Sequence, residues 1–179
     1  MSEVAKLKQL KSIFEALFFR TYNTRLLFGG DEPFYQAAKE GEPAKIISRE
    51  DYLSSALHEI AHWSIAGAER RQLDDFGYWY EPDGRTADQQ SIFEQVEVKP
   101  QAIEWALSIA CGHTFNLSAD NLEEQAAPSD TFRQAVTQQF LNYWHSGLPE
   151  RAQCLFDQLV RTFHNGRRPQ LSPQLMEQI

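Results

Sequence analysis

Cysteine is scarce. Two residues, Cys111 and Cys154, occur among 179, and neither belongs to a C-x-x-C pair. That pattern excludes a disulfide framework and a Cys-rich zinc knuckle, and both are expected to be buried thiols of a reducing compartment. Basic residues are outnumbered, 17 Lys and Arg against 25 Asp and Glu, for a formal net charge of -8 and a pI near 5.1. Broad binding to phosphate backbones relies on clustered Lys and Arg that displace counterions, so no nucleic-acid partner is expected, a local basic patch at Arg70 and Arg71 aside. No apolar run reaches the ~18 residues that a membrane-spanning helix needs. Met1 to Phe19 also lacks the uninterrupted apolar stretch and small-residue cleavage site of a signal peptide. The expectation is a cytoplasmic protein with no membrane partner.

With 42% hydrophobic and 12% aromatic residues, the chain can build one real core, and residues 1–179 are read as a single domain. Val4, Leu7, Leu10, Ile13, Phe14, Leu17 and Phe18 recur at three- and four-residue steps, which predicts an amphipathic helix over residues 1–20. Three short extended segments follow: Thr24 to Phe28, Phe34 to Ala37, and Lys45 to Ser48. Antiparallel pairing of the first two through the Gly29-Gly30 turn is the simplest start for a small sheet. Asp51 is placed to cap a helix that runs to about Ala66, with Gly67 as its stop and Ala56, Leu57, Ile60, Ala61 and Ile65 on its buried side. Asp74 to Arg85 reads as an ordered aromatic loop. A helix from Ala87 is expected to break or kink at Pro100 and resume from Gln101 to Cys111. Asp130 to Trp144 and Pro149 to Phe163 read as two more helices, and residues 167–179 as a loosely held tail. The fold class is α+β, helix-rich around a small mixed sheet.

His58-Glu59-Ile60-Ala61-His62 matches H-E-x-x-H inside a predicted helix. Residues four apart are neighbours on a helix surface, so both imidazoles can reach one ion. The bland alternative is a pair of helix histidines with no metal. An open catalytic site needs a third protein donor, usually His or a carboxylate. Position 68 is Ala, so no clustered third histidine follows; the segment Phe93 to Pro100 offers Glu97 as first choice and Glu94 as second. Two histidines and a carboxylate suit Zn(II) hydrolysis, with Glu59 as general base, and equally Fe(II) activation of O2. No H-x-D or H-x-E triplet occurs, so an iron site here does not use the β-barrel scaffold of the common 2-oxoglutarate oxygenases.

Several blocks together carry a resemblance: Asn23-Thr24-Arg25-Leu26, Gly30-Asp31-Glu32-Pro33, Leu57 to Gly67, Asp75 to Arg85, Phe93 to Gln101 and Asp120-Asn121-Leu122-Glu123. Over roughly residues 20 to 165 the chain resembles the bacterial elongation factor P hydroxylase family. The resemblance implies hydroxylation of the modified lysine of elongation factor P after β-lysylation, at a two-histidine, one-carboxylate centre of the non-haem iron kind, with O2 as cosubstrate. It also implies a fold similar to a metal-dependent ribonuclease of rRNA maturation. His58 and His62 fall on the family's ligand histidines, and Glu97 is the best match for the carboxylate; Glu59 is carried as a catalytic candidate, as base or as a group that orients a ligand.

Tyr78, Trp79 and Tyr80 either enclose a lysyl arm or cover core, and Asp74, Asp75, Glu81 and Asp83 either attract a cation or are solvated. His113, His145 and His164 are isolated. Asn121 and Glu123 receive no role. Two rivals stand beside the hydroxylase: a zinc hydrolase of peptide or RNA, for which Glu59 is indispensable, and a binding module with a structural metal, which would be closed by four protein ligands.

Overall fold

A computed structural model describes residues 1–77, 86–118 and 128–172. The chain opens with helix α1, Glu3–Tyr22, started by the Ser2 hydroxyl and ended by Asn23 in the left-handed conformation at φ 47°. Leu7, Leu10, Ile13, Phe14 and Phe18 are buried along its inner stripe. Strands β1 (Thr24–Gly30), β2 (Phe34–Gln36) and β3 (Ala44–Arg49) follow. β3 lies in the middle, parallel to β1 and antiparallel to β2, so the sheet is small and mixed.

The expected pairing of β1 with β2 does not occur. The glycines extend the ladder with the β3 side: the Gly29 N–H donates to the Glu50 carbonyl at 2.9 Å and the Glu50 N–H to the Gly30 carbonyl at 2.8 Å. A Cβ on Gly30 would sit 2.8 Å from the Glu32 carbonyl oxygen and from Ile47 Cγ2, so glycine here permits close approach to β3. Residues 31–43 then carry β2 to the far edge of the sheet, where it pairs with the other side of β3.

Helix α2, Leu53–Ile65, packs on β3. Asp51 does not cap it. The cap position is Tyr52, without a side-chain bond, and the Leu53 N–H donates instead to Glu3 Oε1 of α1 at 3.1 Å. Its other end does not use Gly67 as a left-handed stop either: Ala66 is extended, and Arg151 Nη2 donates to the carbonyls of Trp63, Ser64 and Ala66 at 2.9, 2.9 and 2.6 Å. A guanidinium from a distant helix does what a C-terminal glycine otherwise does. Ala56, Leu57, Ile60 and Ala61 are buried as expected, but Ile65 is 37% exposed, because the helix ends there at a cleft.

Helix α3 runs unbroken from Ala87 to Cys111, with a capping box between Thr86 and Gln89 and a left-handed Gly112 at its end. Pro100 does not interrupt it. Proline frees the carbonyl four residues earlier, at Val96, and Val96 and Pro100 both line an open cleft where water can take that bond. From Pro100 to Cys111 every residue is buried, since α2, α4 (Asp130–Ser146) and α5 (Glu150–Phe163) all pack on this half of α3. The last helix buries Ala152, Leu155, Phe156, Leu159 and Val160, which turns Cys154 outward; it is exposed, and only Cys111 is the buried thiol. Burial raises Cys111 to about 12. Of the stretch expected as a loose tail, residues 167–172 are described: Arg168 donates to the Trp144 carbonyl and lies over the Trp144 and Phe156 rings, and Leu171 packs against the core. Tyr78 to Arg85, Asn121 and Glu123 lie outside the described residues. Among the described helices none is long and apolar enough to cross a membrane.

Candidate metal centre

α2 presents His58 and His62 one turn apart, and α3 crosses beside them with Glu97 facing the pair. His58 Nε2 and His62 Nε2 are 3.1 Å apart; His62 Nε2 is 3.2 Å from Glu97 Oε1, and His58 Nε2 is 3.5 Å from Glu97 Oε2. Donors ~2.1 Å from a common ion lie ~3.0 Å apart at right angles and ~3.4 Å apart at tetrahedral angles; the two His62 separations fall inside that range, and the His58–Glu97 separation of 3.5 Å lies just beyond it. The three residues form the group of potential metal donors found among the described residues. Glu97 is buried, and its Oε2 has no hydrogen-bond partner. A buried carboxylate oxygen faced only by an imidazole nitrogen at 3.5 Å and without a hydrogen bond is costly in a protein interior, and a cation between it and the imidazoles would satisfy it. The donor set and its spacing therefore fit a divalent ion.

The electrostatics agree. Burial works to raise Glu97, yet His62, His58 and a hydrogen bond from Gln101 lower it to about 2. Burial works to lower His58, but the hydrogen bond to Glu104 and the charges of Glu97, Glu104 and Glu59 lift it to about 10. An ionised carboxylate beside an imidazolium is a site whose proton a metal can replace.

Glu94, the second choice for the carboxylate, is engaged elsewhere: it accepts from Ser129 Oγ at 2.6 Å and the Ser129 N–H at 3.4 Å, next to the start of α4. Glu59 is half-buried and has no hydrogen bond or ion pair among the described residues. Burial pushes its carboxyl up, opposed by the nearby His62 and His58 charges and reinforced by Glu97 and Asp75. His113, His145 and His164 stand apart from the group, the last two bonded to the carbonyls of Leu141 and Ile109. Arg70 and Arg71, the pair that could have made a local basic patch, are both engaged with backbone carbonyls. Arg71 bonds the Ala66 carbonyl and lies over the Tyr22 ring, and Arg70 donates to the Phe76 carbonyl.

Sequence reasoning passed over Glu104. This buried residue of α3 takes the His58 Nδ1–H on Oε2 at 2.8 Å, so Nε2 is the nitrogen turned to Glu97 and the one that offers a lone pair once its proton is displaced. It also passed over Gln101, buried one turn after Glu97, whose amide is tied to Ser118 by bonds of 2.8 and 3.1 Å. A signal was there: Glu97, Gln101, Glu104 and Ser108 recur at four- and three-residue steps in a stretch that is apolar apart from Lys99. Asp74 and Asp75 also have work in the fold. Their carboxylates accept the Ala37 and Tyr35 N–H groups at 2.8 and 2.9 Å, closing the outer edge of β2.

Two comparisons with known proteins bear on this site. The family model described as elongation factor P hydroxylase matches residues 13–174. The elongation factor P lysine hydroxylase of Haemophilus influenzae is 51% identical over 156 residues, covering 87% of this chain and 88% of that protein. The match takes in all of α2 and α3, and with them every residue of the candidate centre. By both the length of the match and the level of identity, the chain belongs to the elongation factor P hydroxylase family.

Proposed function

We propose that this protein is a metal-dependent oxidoreductase that hydroxylates the β-lysylated lysine of elongation factor P, with O2 as cosubstrate and Fe(II) as the working metal. The observation that carries it is the convergence of His58 Nε2, His62 Nε2 and Glu97 within 4.8 Å of one another in a chain of this family. In this reading His58, His62 and Glu97 hold the ion as a two-histidine, one-carboxylate set in the H-E-x-x-H context, and three protein donors leave positions open. When bound, a redox-active divalent ion such as Fe(II) supplies the O2 activation that hydroxylation of an unactivated carbon requires.

The chain's own residues do the rest. Glu104 holds the His58 ring in one tautomer, Gln101 steadies Glu97, and buried Leu57, Ile60 and Ala61 keep α2 from shifting. The acidic surface suits a cationic lysyl arm better than nucleic acid, and a translation factor as substrate places the reaction in the cytoplasm. The helix-rich mixed-sheet architecture is read as one domain, akin to the rRNA-maturation ribonuclease fold and put to a different chemistry.

The test is anaerobic loading with Fe(II), admission of air with a reductant, and intact-mass analysis of β-lysylated elongation factor P. A gain of one oxygen atom that vanishes in His58→Ala is expected; no gain from iron-loaded protein sinks the reading. Glu59 keeps hydrolysis as the competing chemistry, because its carboxylate is unbonded beside the histidines and free to take a proton. Glu59→Gln decides between them: retained oxygen addition supports the hydroxylase with Glu59 as an orienting group.

A further inference from the structure

Beside the three donors a cleft of about 530 Å³ opens between the end of α2 and the face of α3, with His62, Ile65, Glu69, Arg70, Val96 and Pro100 in its lining. Its size falls in the range of pockets for a small molecule or an inserted side chain, ~300–1,000 Å³. Because His62 forms part of the wall, the cleft borders the donor group. The walls are aliphatic and wet: Ile65 is 37% exposed and Val96 42%, and Ile92, one turn before Val96 on α3, is 62% exposed. Clustered exposed aliphatics at the mouth of a site call for a cover with apolar length.

The charges in the lining are two, and they are not equivalent. Arg70 is turned to the 3-10 segment, donating to the Phe76 carbonyl at 3.3 Å. Glu69 has no ion pair and no side-chain hydrogen bond among the described residues. An unpaired carboxylate beside aliphatic walls complements a long methylene chain that ends in an ammonium, and it disfavours an anion, as does the net charge of -8.

We propose that this cleft seats the lysine-derived arm of the protein substrate, with Ile65, Val96 and Pro100 against its methylenes and Glu69 receiving a terminal ammonium. The inference rests on the hydroxylase reading above and adds the subsite that reading lacks. Anchoring a flexible arm along its length and at its charged end sets how deep it enters, and depth selects which carbon lies beside the donors.

The test uses three exposed-site variants in the full, iron-loaded protein: Glu69→Gln, Glu69→Lys and Val96→Arg. Each is assayed for bound metal and for kcat and KM toward β-lysylated elongation factor P. Glu69→Gln is expected to raise KM about tenfold with kcat little changed, Glu69→Lys and Val96→Arg to raise it further, and bound metal to match the unaltered protein. If the unaltered protein hydroxylates and KM stays constant in all three, the subsite is overturned and the reaction stands. Loss of metal in Glu69→Gln also overturns it, because the carboxylate would then support the centre. An unaltered protein that binds iron and adds no oxygen removes the reaction, and the subsite goes with it.

Discussion

A histidine that donates through Nδ1 has only Nε2 left for a cation, and Glu104 makes that choice for His58. Glu104→Gln keeps shape and burial while removing the charge that favours the ring's N–H, so it acts on the metal through His58 alone. Partners of this kind are worth about 10–100-fold in metal affinity, and that loss is expected in a chelator competition, with the far-ultraviolet spectrum unchanged. The proton count gives a second readout. His58 is raised from 6.5 to about 10, so in chelator-stripped protein its contribution to stability is complete below about pH 6.5 and fades as pH climbs through 10. A metal must displace that proton, so metal affinity rises over the same window. Calorimetry at pH 8 in two buffers of different ionisation heat should find close to one proton released per metal bound, and fewer in Glu104→Gln, where His58 loses the negative charge that helps to lift it. Equal proton release in the two proteins would show that Glu104 does not govern His58.

At the scale of elements, the ends of helices carry more information than their middles. Arg151 reaches from α5 to three carbonyls at the end of α2 and lies over the rings of Trp63 and Tyr22. Arg151→Met keeps the aliphatic stem and strips the donors, leaving carbonyls one turn beyond His62 without their partner. Charged hydrogen bonds of this kind contribute about 1.5–3 kcal/mol, and a chain of this length shifts ~2–4 °C per kcal/mol, so a fall of about 5 °C in Tm is expected in a thermal melt. An unchanged Tm would mean that water replaces the guanidinium without penalty. The same contact explains what the sequence could and could not tell. The bodies of α1, α2, α4 and α5 were legible because apolar periodicity is a local signal, and His58, His62 and Glu97 were legible because helical spacing converts directly into shared faces. Caps supplied from far away, Glu3 to Leu53 and Arg151 to Ala66, have no local signature. The strand order escaped for the same reason: Gly29-Gly30 reads as a turn, and only the close approach to Ile47 and the Glu50 pairing reveal another use. Pro100 misled because its effect depends on whether the freed carbonyl meets solvent, which is a tertiary fact.

At the scale of the molecule, the centre sits where α2 and α3 meet. His58 and His62 ride on α2, whose Leu57, Ile60 and Ala61 are fully buried, and Glu97 begins the part of α3 around which α2, α4 and α5 assemble. Unfolding separates α2 from α3 and destroys the donor set, so a bound ion stabilises the entire fold. At a free metal concentration 100 times its Kd the linkage gain is ~2.7 kcal/mol, or a rise in Tm of roughly 5–10 °C for a chain of this size. Differential scanning calorimetry of chelator-stripped protein with and without Fe(II), under anaerobic conditions at pH 7.5, measures it directly. His62→Ala should abolish the rise, because Glu97 and one imidazole cannot hold the ion. Glu59→Gln should keep it, because Glu59 lies outside the converging group. Loss of the rise in Glu59→Gln together with its survival in His62→Ala would place the ion elsewhere on the protein and remove the geometric basis for a reaction at His58, His62 and Glu97.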